Sequence, residues 1–242
     1  AYNRHLSLKH RHFQVETETD VAWNVDFHDQ KRIFAFPAND SGIGEYRVRS
    51  PLRVLRESGK VVYSLLPNHS EGLIPDVVEI ERVQPDVLLL QNGLTPYLVK
   101  AWEQYKLYNK NVFRIYSQDD LITQLPGKHP LRVSSSKERL KSLNKMIRQI
   151  LKYSDRLIVA TEPLADAYGK FIDDVRIIPN RLENDRWLGL NSLRNQGSKP
   201  RVGWAGAGQH QGDLDFILPI VEATKDKVDW IFFGMCTDLL RP

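Results

Sequence analysis

The sequence predicts an α/β protein with a Rossmann-like, doubly wound parallel sheet, followed by the start of a second Rossmann-like domain. Three observations support this prediction. Short and almost continuously apolar segments alternate with segments of helical periodicity from residue 31 onward. Strands of this kind are typical of parallel sheets that helices cover on both faces. After a stretch rich in Asn, Ser, Gly and Pro, the same alternation begins again near residue 200.

Six apolar segments of strand length run through the first domain: 32–36, 61–66, 86–90, 112–116, 156–160 and 175–178. Helical periodicity between them indicates that each strand returns to the sheet through a helix. The clearest pattern follows the third strand, where five residues have the spacing of a half-buried helix: Leu98, Ala101, Trp102, Tyr105 and Tyr108.

The helix after the first strand is expected to begin at Ser50. Ser50 is followed by Pro51, which is typical of an N-cap with proline at the first helical position. Leu52 and Leu55 are then expected to face inward.

We predict a tail over residues 1–30, a first domain over 31–184, a linker over 185–199 and a βαβ unit over 200–242. The tail has no apolar segment typical of a signal peptide. It holds four of the seven histidines, His5, His10, His12 and His28. A loosely ordered segment is the interpretation that we favour, and a metal-binding tract is the alternative. The βαβ unit is too small to close a core by itself, so it either adds strands to the first sheet or begins an incomplete second domain, which is the interpretation that we favour.

Composition excludes several classes of protein. The 242 residues are 41% hydrophobic and 26% charged, as in ordinary folded proteins. The sequence has no apolar run approaching the roughly 20 residues of a membrane-spanning helix. The single cysteine, Cys236, excludes an internal disulfide framework and fits a reducing compartment, so we expect a cytoplasmic protein. The net charge of +4 favours anionic partners without naming one.

Ligands of doubly wound sheets bind at the carboxyl ends of the strands. The loop after the first strand carries Gly42, Gly44 and Arg47, with Arg49 and Arg53 close behind. Glycines let a backbone approach a ligand, and the arginines favour an anion, so we predict substrate contact by these residues. It is not the dinucleotide-binding motif, because Arg47 stands where that motif has its third glycine. A plain tight turn is the alternative.

A second glycine-rich loop follows the first strand of the βαβ unit. It contains Gly206, Gly208, Gln209 and His210 ahead of a predicted helix. Small residues before a helix suit a phosphate or a diphosphate, and His210 is able to donate a hydrogen bond to such a group.

The fourth predicted strand is followed by Asp119 and Asp120. Paired carboxylates hold divalent metals or act as acid and base, and they also cap turns. Turn capping is the interpretation that we favour over a metal site.

Residues 137–152 combine six basic side chains with an apolar helical stripe. The basic residues are Lys137, Arg139, Lys141, Lys145, Arg148 and Lys152. A basic amphipathic helix either rests on an anionic membrane or packs its stripe on the sheet and leaves its charges in solvent. We favour the packed arrangement, in which the basic face remains available to lipid headgroups. Nucleic acid is disfavoured, because aromatic and basic residues do not interleave as single-strand binding requires.

Several segments resemble, in order, the group 1 (family 4-type) glycosyltransferases of the GT-B fold. They are residues 42–59, 84–92, 155–162, 177–180 and 199–217. The resemblance implies an acceptor domain and a donor domain, each Rossmann-like, with a cleft between them. It implies a nucleotide-sugar as donor substrate, a glycan, lipid-linked or other hydroxyl acceptor, and no essential metal or cofactor. The chain as given would contain the acceptor domain and the first part of the donor domain.

The resemblance also assigns roles to residues. Asn92, Asp119 and Asp120 would lie around the transferred sugar as catalytic residues. Gln91, with Gly42, Gly44 and Arg47, would contact the substrate, and Gly206, Gly208, Gln209 and His210 would contact the donor phosphates. Gln91 and Asn92 stand where the family often has a histidine, and Gln118 and Asp119 replace its frequent His-Asp pair.

These observations predict a glycosyltransferase whose acceptor half lies in this chain. A non-catalytic α/β module that binds a nucleotide or sugar phosphate is the alternative, since the family histidine is missing. A metal-dependent transferase using Asp119 and Asp120 is a weaker one.

Overall fold

A computed structural model describes residues 30–40, 42–66, 73–125, 127, 129–191, 197–206 and 210–234. The chain divides into two compact units. The first runs to Leu121 and includes Leu143–Glu183, and the second comprises Ile122–Ser142 and the residues from Asn184 onward. The predicted tail, except for Gln30, lies outside the described residues, as does Cys236. The domain boundaries that we derived from the sequence stay predictions.

Six parallel strands form the sheet of the first unit: β1 (Lys31–Phe36), β2 (Val61–Leu65), β3 (Val87–Gln91), β4 (Phe113–Gln118), β5 (Arg156–Val159) and β6 (Val175–Ile177). Their order is β2-β1-β3-β4-β5-β6, and every neighbouring pair is parallel. The direction of strand addition reverses between β1 and β3, which makes the carboxyl ends of these strands the topological switch point. The predicted α/β fold with a Rossmann-like, doubly wound parallel sheet is confirmed.

Helices connect the strands. They are α1 (Gly42–Gly44, Glu45–Arg49 in π-helical form, and Ser50–Glu57), α2 (Val77–Val83), α3 (Pro96–Tyr108), α4 (Pro130–Ser134), α5 (Lys137–Tyr153), α6 (Glu162–Gly169), α7 (Asn184–Trp187) and α8 (Gln211–Thr224). Local sequence explains two of their starts. Asp76 caps α2 and forms a capping box with Glu79, and the Thr95 side chain accepts a hydrogen bond from Leu98 N at the start of α3.

The two faces of the sheet carry separate cores. On one face, Phe34, Phe36 and Trp102 meet edge to face, with ring centroids 5.1 and 6.1 Å apart along the series. This larger core also includes residues from α2, α3, α5 and α6. On the other face, Val48 and Leu52 of α1 pack over side chains of β1, β2 and β3. The alternation of side chains along each strand sends one set to each core.

Three details of the predicted helices are wrong. Ser50 is not an N-cap, because helix α1 already begins at Gly42; the Ser50 hydroxyl instead donates to Glu45 Oε1 at 3.0 Å. Leu55 is 38% exposed and Tyr108 is 69% exposed, although both were expected to face inward. Each lies in the last turn of its helix, beyond the residues that pack on the sheet.

The amino ends of β4 and β5 are joined by a partly buried ion-pair network around Asp155. Arg114 is 4% exposed, its backbone N–H donates to Asp155 Oδ2 at 2.8 Å, and its guanidinium lies 2.7 Å from the same oxygen. Lys106 donates to the other carboxylate oxygen. Burial alone would raise the pKa of Asp155, but the hydrogen bonds and charges of Lys106 and Arg114 outweigh it, and the pKa is lowered.

The second unit contains a βαβ arrangement. Strands β7 (Arg201–Gly206) and β8 (Asp229–Gly234) are parallel, and α8 connects them. Trp230 stacks on Phe232 with ring centroids 5.9 Å apart. Phe216 of α8 is largely exposed. Among the helices that the structure describes, none has the length and apolar character needed to cross a membrane.

Replacing Asp155 with Asn is expected to destabilise the protein by about 2 to 3 kcal/mol at neutral pH, because Arg114 would keep its buried charge without a counterion. Since the folded-state pKa of Asp155 lies below its ordinary value of 3.8, the stabilisation is complete above that pH and is lost as the pH falls through the lower folded-state value. Denaturant unfolding at neutral and acid pH measures both effects. Asp155→Asn should show a weaker loss of stability in acid than the parent protein.

The matched control is Asp174→Asn. Asp174 pairs with Arg156 and Arg176 on the surface, so its replacement should cost much less at neutral pH. Equal losses for the two variants would contradict the structural role assigned to Asp155.

Candidate functional site

Gln91 lies at the topological switch point between β1 and β3. It is the last residue of β3 and has no solvent exposure. Its Oε1 accepts a hydrogen bond from Ala38 N at 3.0 Å, and its Nε2 donates to the Ile43 carbonyl oxygen at 2.9 Å. The two ends of the amide therefore hold both the loop after β1 and the first turn of α1. The structure gives Gln91 a positioning role at the predicted substrate edge.

Gly44, in the first turn of α1, is required for packing. A Cβ on Gly44 would lie 1.9 Å from the Asn39 carbonyl oxygen, and Gly44 N donates to Asn39 Oδ1 at 3.1 Å. Gly42 adopts φ +39° with open space beside it. Local packing thus accounts for Gly44, and a contact of either glycine with a substrate stays a prediction.

Arg47 crosses the carboxyl edge of the sheet. It projects from the π-helical part of α1, and its Nη1 donates to the Ile178 carbonyl oxygen and, at 3.2 Å, to Asn180 Oδ1. Its Nη2 lies 3.5 Å from Ser117 Oγ at the end of β4. The arginine therefore joins the start of α1 to the residues that follow β6. π-Helical turns inside α-helices are frequent at functional sites.

The charge of Arg47 is partly buried and faces a carboxylate. Burial lowers the pKa of Arg47, and the negative charge of Asp119 opposes that change. Arginine remains protonated at neutral pH even when its pKa falls moderately. Arg47 and Asp119 thus form a nearly charge-balanced pair at this edge.

Asn92 completes the cluster. It has a left-handed backbone with φ 53°, which is uncommon for a residue other than glycine. Its backbone N–H donates to the Ser117 carbonyl oxygen at 3.0 Å, and its Nδ2 donates to Asp119 Oδ1. We name Arg47, Asn92, Ser117 and Asp119 the edge cluster. Loops after β3 and β4 and helix α1 meet in it.

Two buried polar atoms of the edge cluster have no hydrogen-bond partner within the described residues. They are the Asn92 Oδ1 acceptor and the Arg47 Nε donor. Buried polar atoms are nearly always satisfied in folded proteins. Other buried side-chain atoms, Asn109 Oδ1 and Arg114 Nε among them, also lack a partner, so the two atoms of the edge cluster stand out by their position at the edge where doubly wound sheets bind ligands. A hydroxyl group donates one hydrogen bond and accepts others, which matches this combination. The chemistry of the edge cluster therefore fits a polyhydroxylated ligand.

The neighbouring arginines form ion pairs within the protein. Arg49 pairs with Asp40 at 2.8 Å, and Arg53 pairs with Glu45 at 3.0 Å and with Glu183 at 2.6 Å. Arg47, Arg49 and Arg53 therefore do not form a common anion site, although their clustering in the sequence suggested one.

Asp120 follows Asp119 directly after β4. It is exposed, and its backbone carbonyl oxygen accepts hydrogen bonds from Gln118 Nε2 at 3.0 Å and from the Tyr168 hydroxyl at 2.8 Å. In the part of the chain that the structure describes, no group of three or more His, Cys, Asp and Glu side chains could hold a metal ion. A catalytic role of the Asp120 carboxylate stays a prediction.

The second glycine loop is only partly described. Gly208 and Gln209 lie outside the described residues. A Cβ on Gly206 would lie 2.5 Å from the Trp204 ring, so a larger residue there would displace that ring. His210 is exposed, and its Nδ1 lies 2.9 Å from Asp213 Oδ2. Contact of these residues with a donor phosphate stays a prediction.

Sequence reasoning missed Ser117, Ile178, Asn180 and Glu183. The residues from 177 to 180 carried part of the family resemblance, but nothing in their spacing connects them to Arg47. Their contacts depend on β4 and β6 ending at the same edge of the sheet.

The parallel sheet, its reversed strand order and the edge cluster define a Rossmann-like α/β protein with a polar site at the carboxyl ends of its strands. No protein-family model matches the sequence, and no curated protein matches it. The resemblance to glycosyltransferases therefore rests on the sequence segments themselves.

Replacing Gln91 with Leu is expected to destabilise the first unit by about 2 to 4 kcal/mol, because two backbone groups would lose their hydrogen-bond partner in a buried place. The comparison is Gln124→Leu, which changes an exposed glutamine. Denaturant unfolding of both variants measures the difference. Equal stability of the two variants would show that Gln91 does not fix the loop.

Proposed function

We propose that this protein is a glycosyltransferase and that the edge cluster of its first unit contacts a sugar hydroxyl. The observation that supports this proposal is the open pair of buried atoms, Arg47 Nε and Asn92 Oδ1, beside the Asp119 carboxylate. Sugars present hydroxyl groups that satisfy both kinds of atom. The location is the edge of a doubly wound sheet at which ligands bind.

In this proposal, the edge cluster orients the acceptor. Both atoms are buried, so the side chains must shift to reach a ligand; Asn92 Oδ1 then accepts a hydrogen bond from one sugar hydroxyl, and Arg47 Nε donates to another hydroxyl oxygen. Asp119 faces the same edge and stabilises positive charge that develops on a reacting hydroxyl. Holding the reactants in place and stabilising charge supply most of the rate enhancement in such a site.

The donor is proposed to be a nucleotide-sugar, with Gly206, Gly208, Gln209 and His210 near its diphosphate. His210 is exposed, which leaves it accessible to a ligand. Its Nδ1 lies 2.9 Å from Asp213 Oδ2, and the other ring nitrogen is able to donate a hydrogen bond to a phosphate oxygen.

A binding module without catalysis is the second candidate. One observation favours it: Asp119 already accepts a hydrogen bond from Asn92 and lies near the charge of Arg47. Contacts that engage a carboxylate leave it less available to take a proton from a hydroxyl, as a general base must.

Replacing Arg47 with Gln is expected to weaken sugar binding and turnover by about tenfold or more, since a hydrogen bond to a charged group would be lost. Titration with a panel of monosaccharides, nucleoside diphosphates and nucleotide-sugars measures binding, and nucleoside diphosphate release measures turnover. Arg139→Gln removes the same charge from an exposed site on α5 and should have little effect. Unfolding curves confirm that both variants are folded at the assay temperature.

Equal effects of Arg47→Gln and Arg139→Gln on binding and turnover would show that Arg47 does not contact the ligand. Nucleotide-sugar binding with no diphosphate release, by the longest natural form of the chain, would favour the binding module over the transferase.

A further inference from the structure

Helix α5 carries a straight row of positive charge on its exposed side. The row consists of Lys137, Lys141, Lys145, Arg148 and Lys152, all of which are exposed. Their spacings of four, four, three and four residues place them within about 80° of the helix circumference and along about 22 Å of its axis. We name these five residues the basic row. Arg139 lies on a different side of the helix.

The basic row has no ion-pair partner among the described residues. Elsewhere in the same structure, cations with a carboxylate in reach pair with it, as Lys106 and Arg114 do with Asp155. In the row, Arg148 lies over the Phe171 ring at 5.1 Å and Lys152 over the Tyr153 ring at 5.9 Å. Glu138 is the one acidic residue of α5, and among the described residues no carboxylate forms an ion pair with the row.

The apolar side of α5 is occupied. Ile147, Ile150 and Leu151 are buried in the larger core of the first unit. The packed arrangement that the sequence favoured is confirmed. The helix therefore has no free apolar face to insert into a bilayer, and a partner of the basic row must be attracted by charge.

We propose that the basic row docks the protein on a surface of anionic lipid headgroups, as a peripheral contact without insertion. A bilayer presents a plane of fixed negative charge, and a straight row on one side of a helix brings all five cations to such a plane together. The attraction grows with each added cation near the surface. This proposal goes beyond the proposed function and does not depend on it.

The composition of the row favours lipid over nucleic acid. Four of its five residues are lysines, which attract phosphate as point charges, whereas base recognition relies on arginine, asparagine and glutamine. No aromatic side chain lies in the row to stack on a base. The guanidinium of its single arginine already lies over Phe171.

The test is sedimentation of the full chain with vesicles. We expect binding to phosphatidylcholine vesicles that contain about one third phosphatidylglycerol, and none to phosphatidylcholine alone. Raising the ionic strength from about 0.1 M to about 0.5 M should release the protein, because salt screens charge attraction. Equal binding to both vesicle types, or binding that survives high salt, would overturn an electrostatic contact.

The double variant Lys141→Glu/Lys145→Glu should lower the vesicle partition coefficient by about tenfold or more. Its control is Lys60→Glu/Lys110→Glu, which makes the same change in net charge at two exposed lysines outside α5. The control should bind almost as the parent does. Equal loss in both variants would assign binding to net charge and overturn the role of the row.

A duplex DNA and a single-stranded RNA are tested in parallel with the same variants. If Lys141→Glu/Lys145→Glu loses nucleic-acid binding while its vesicle binding is unchanged, the basic row binds nucleic acid and the lipid proposal is wrong. Circular dichroism and thermal unfolding establish that the charge reversals leave the fold intact.

Discussion

The paired hydrogen bonds of the Gln91 side chain are the constraint on which the candidate site depends. The strand order leaves a gap between the loops that follow β1 and β3, because their helices depart in different directions. Gln91 spans that gap by engaging Ala38 N and the Ile43 carbonyl oxygen. The start of α1 is thereby fixed relative to β3. Since Arg47 lies one turn further along α1, its reach across the sheet edge depends on this buried amide.

The π-helical stretch explains how neighbouring arginines come to serve different partners. A π-helical turn holds more residues than an α-helical turn and therefore changes the direction in which later side chains project. Arg47 projects over the strand ends, while Arg49 and Arg53 form ion pairs with acidic residues. Only Arg47 among them reaches the edge cluster, where Asp119 balances its charge. The site is consequently close to neutral, which suits hydroxyl groups better than it suits phosphate.

Sequence alone predicted the class of fold because apolar strands and helical periodicity are local signals. It placed each strand within one or two residues. It did not predict the strand order. It also missed the start of α1, because a pair of glycines is typical of a turn, and the packing of Gly44 against the Asn39 carbonyl oxygen is visible only in the structure. For the site, it selected Arg47, Asn92 and Asp119, which the structure brings together at one edge of the sheet, and the roles assigned to them stay predictions. It assigned Gln91 to a substrate, whereas the structure shows each end of the amide hydrogen-bonded to a backbone group. Such contacts are non-local, and no spacing in the sequence encodes them.

The contact between Arg47 and Ile178 joins residues 131 positions apart, and this has a consequence for the order of folding. Contacts at such separation form late, because a long segment must be closed before they contribute any stability. The local βα units are able to assemble first, and the edge cluster takes its final form only when β6 joins the sheet. A nascent chain that still lacks β6 therefore has most of the core but not the contact between Arg47 and Ile178. The geometry of the edge cluster is then a property of the finished fold and not of any shorter folding intermediate.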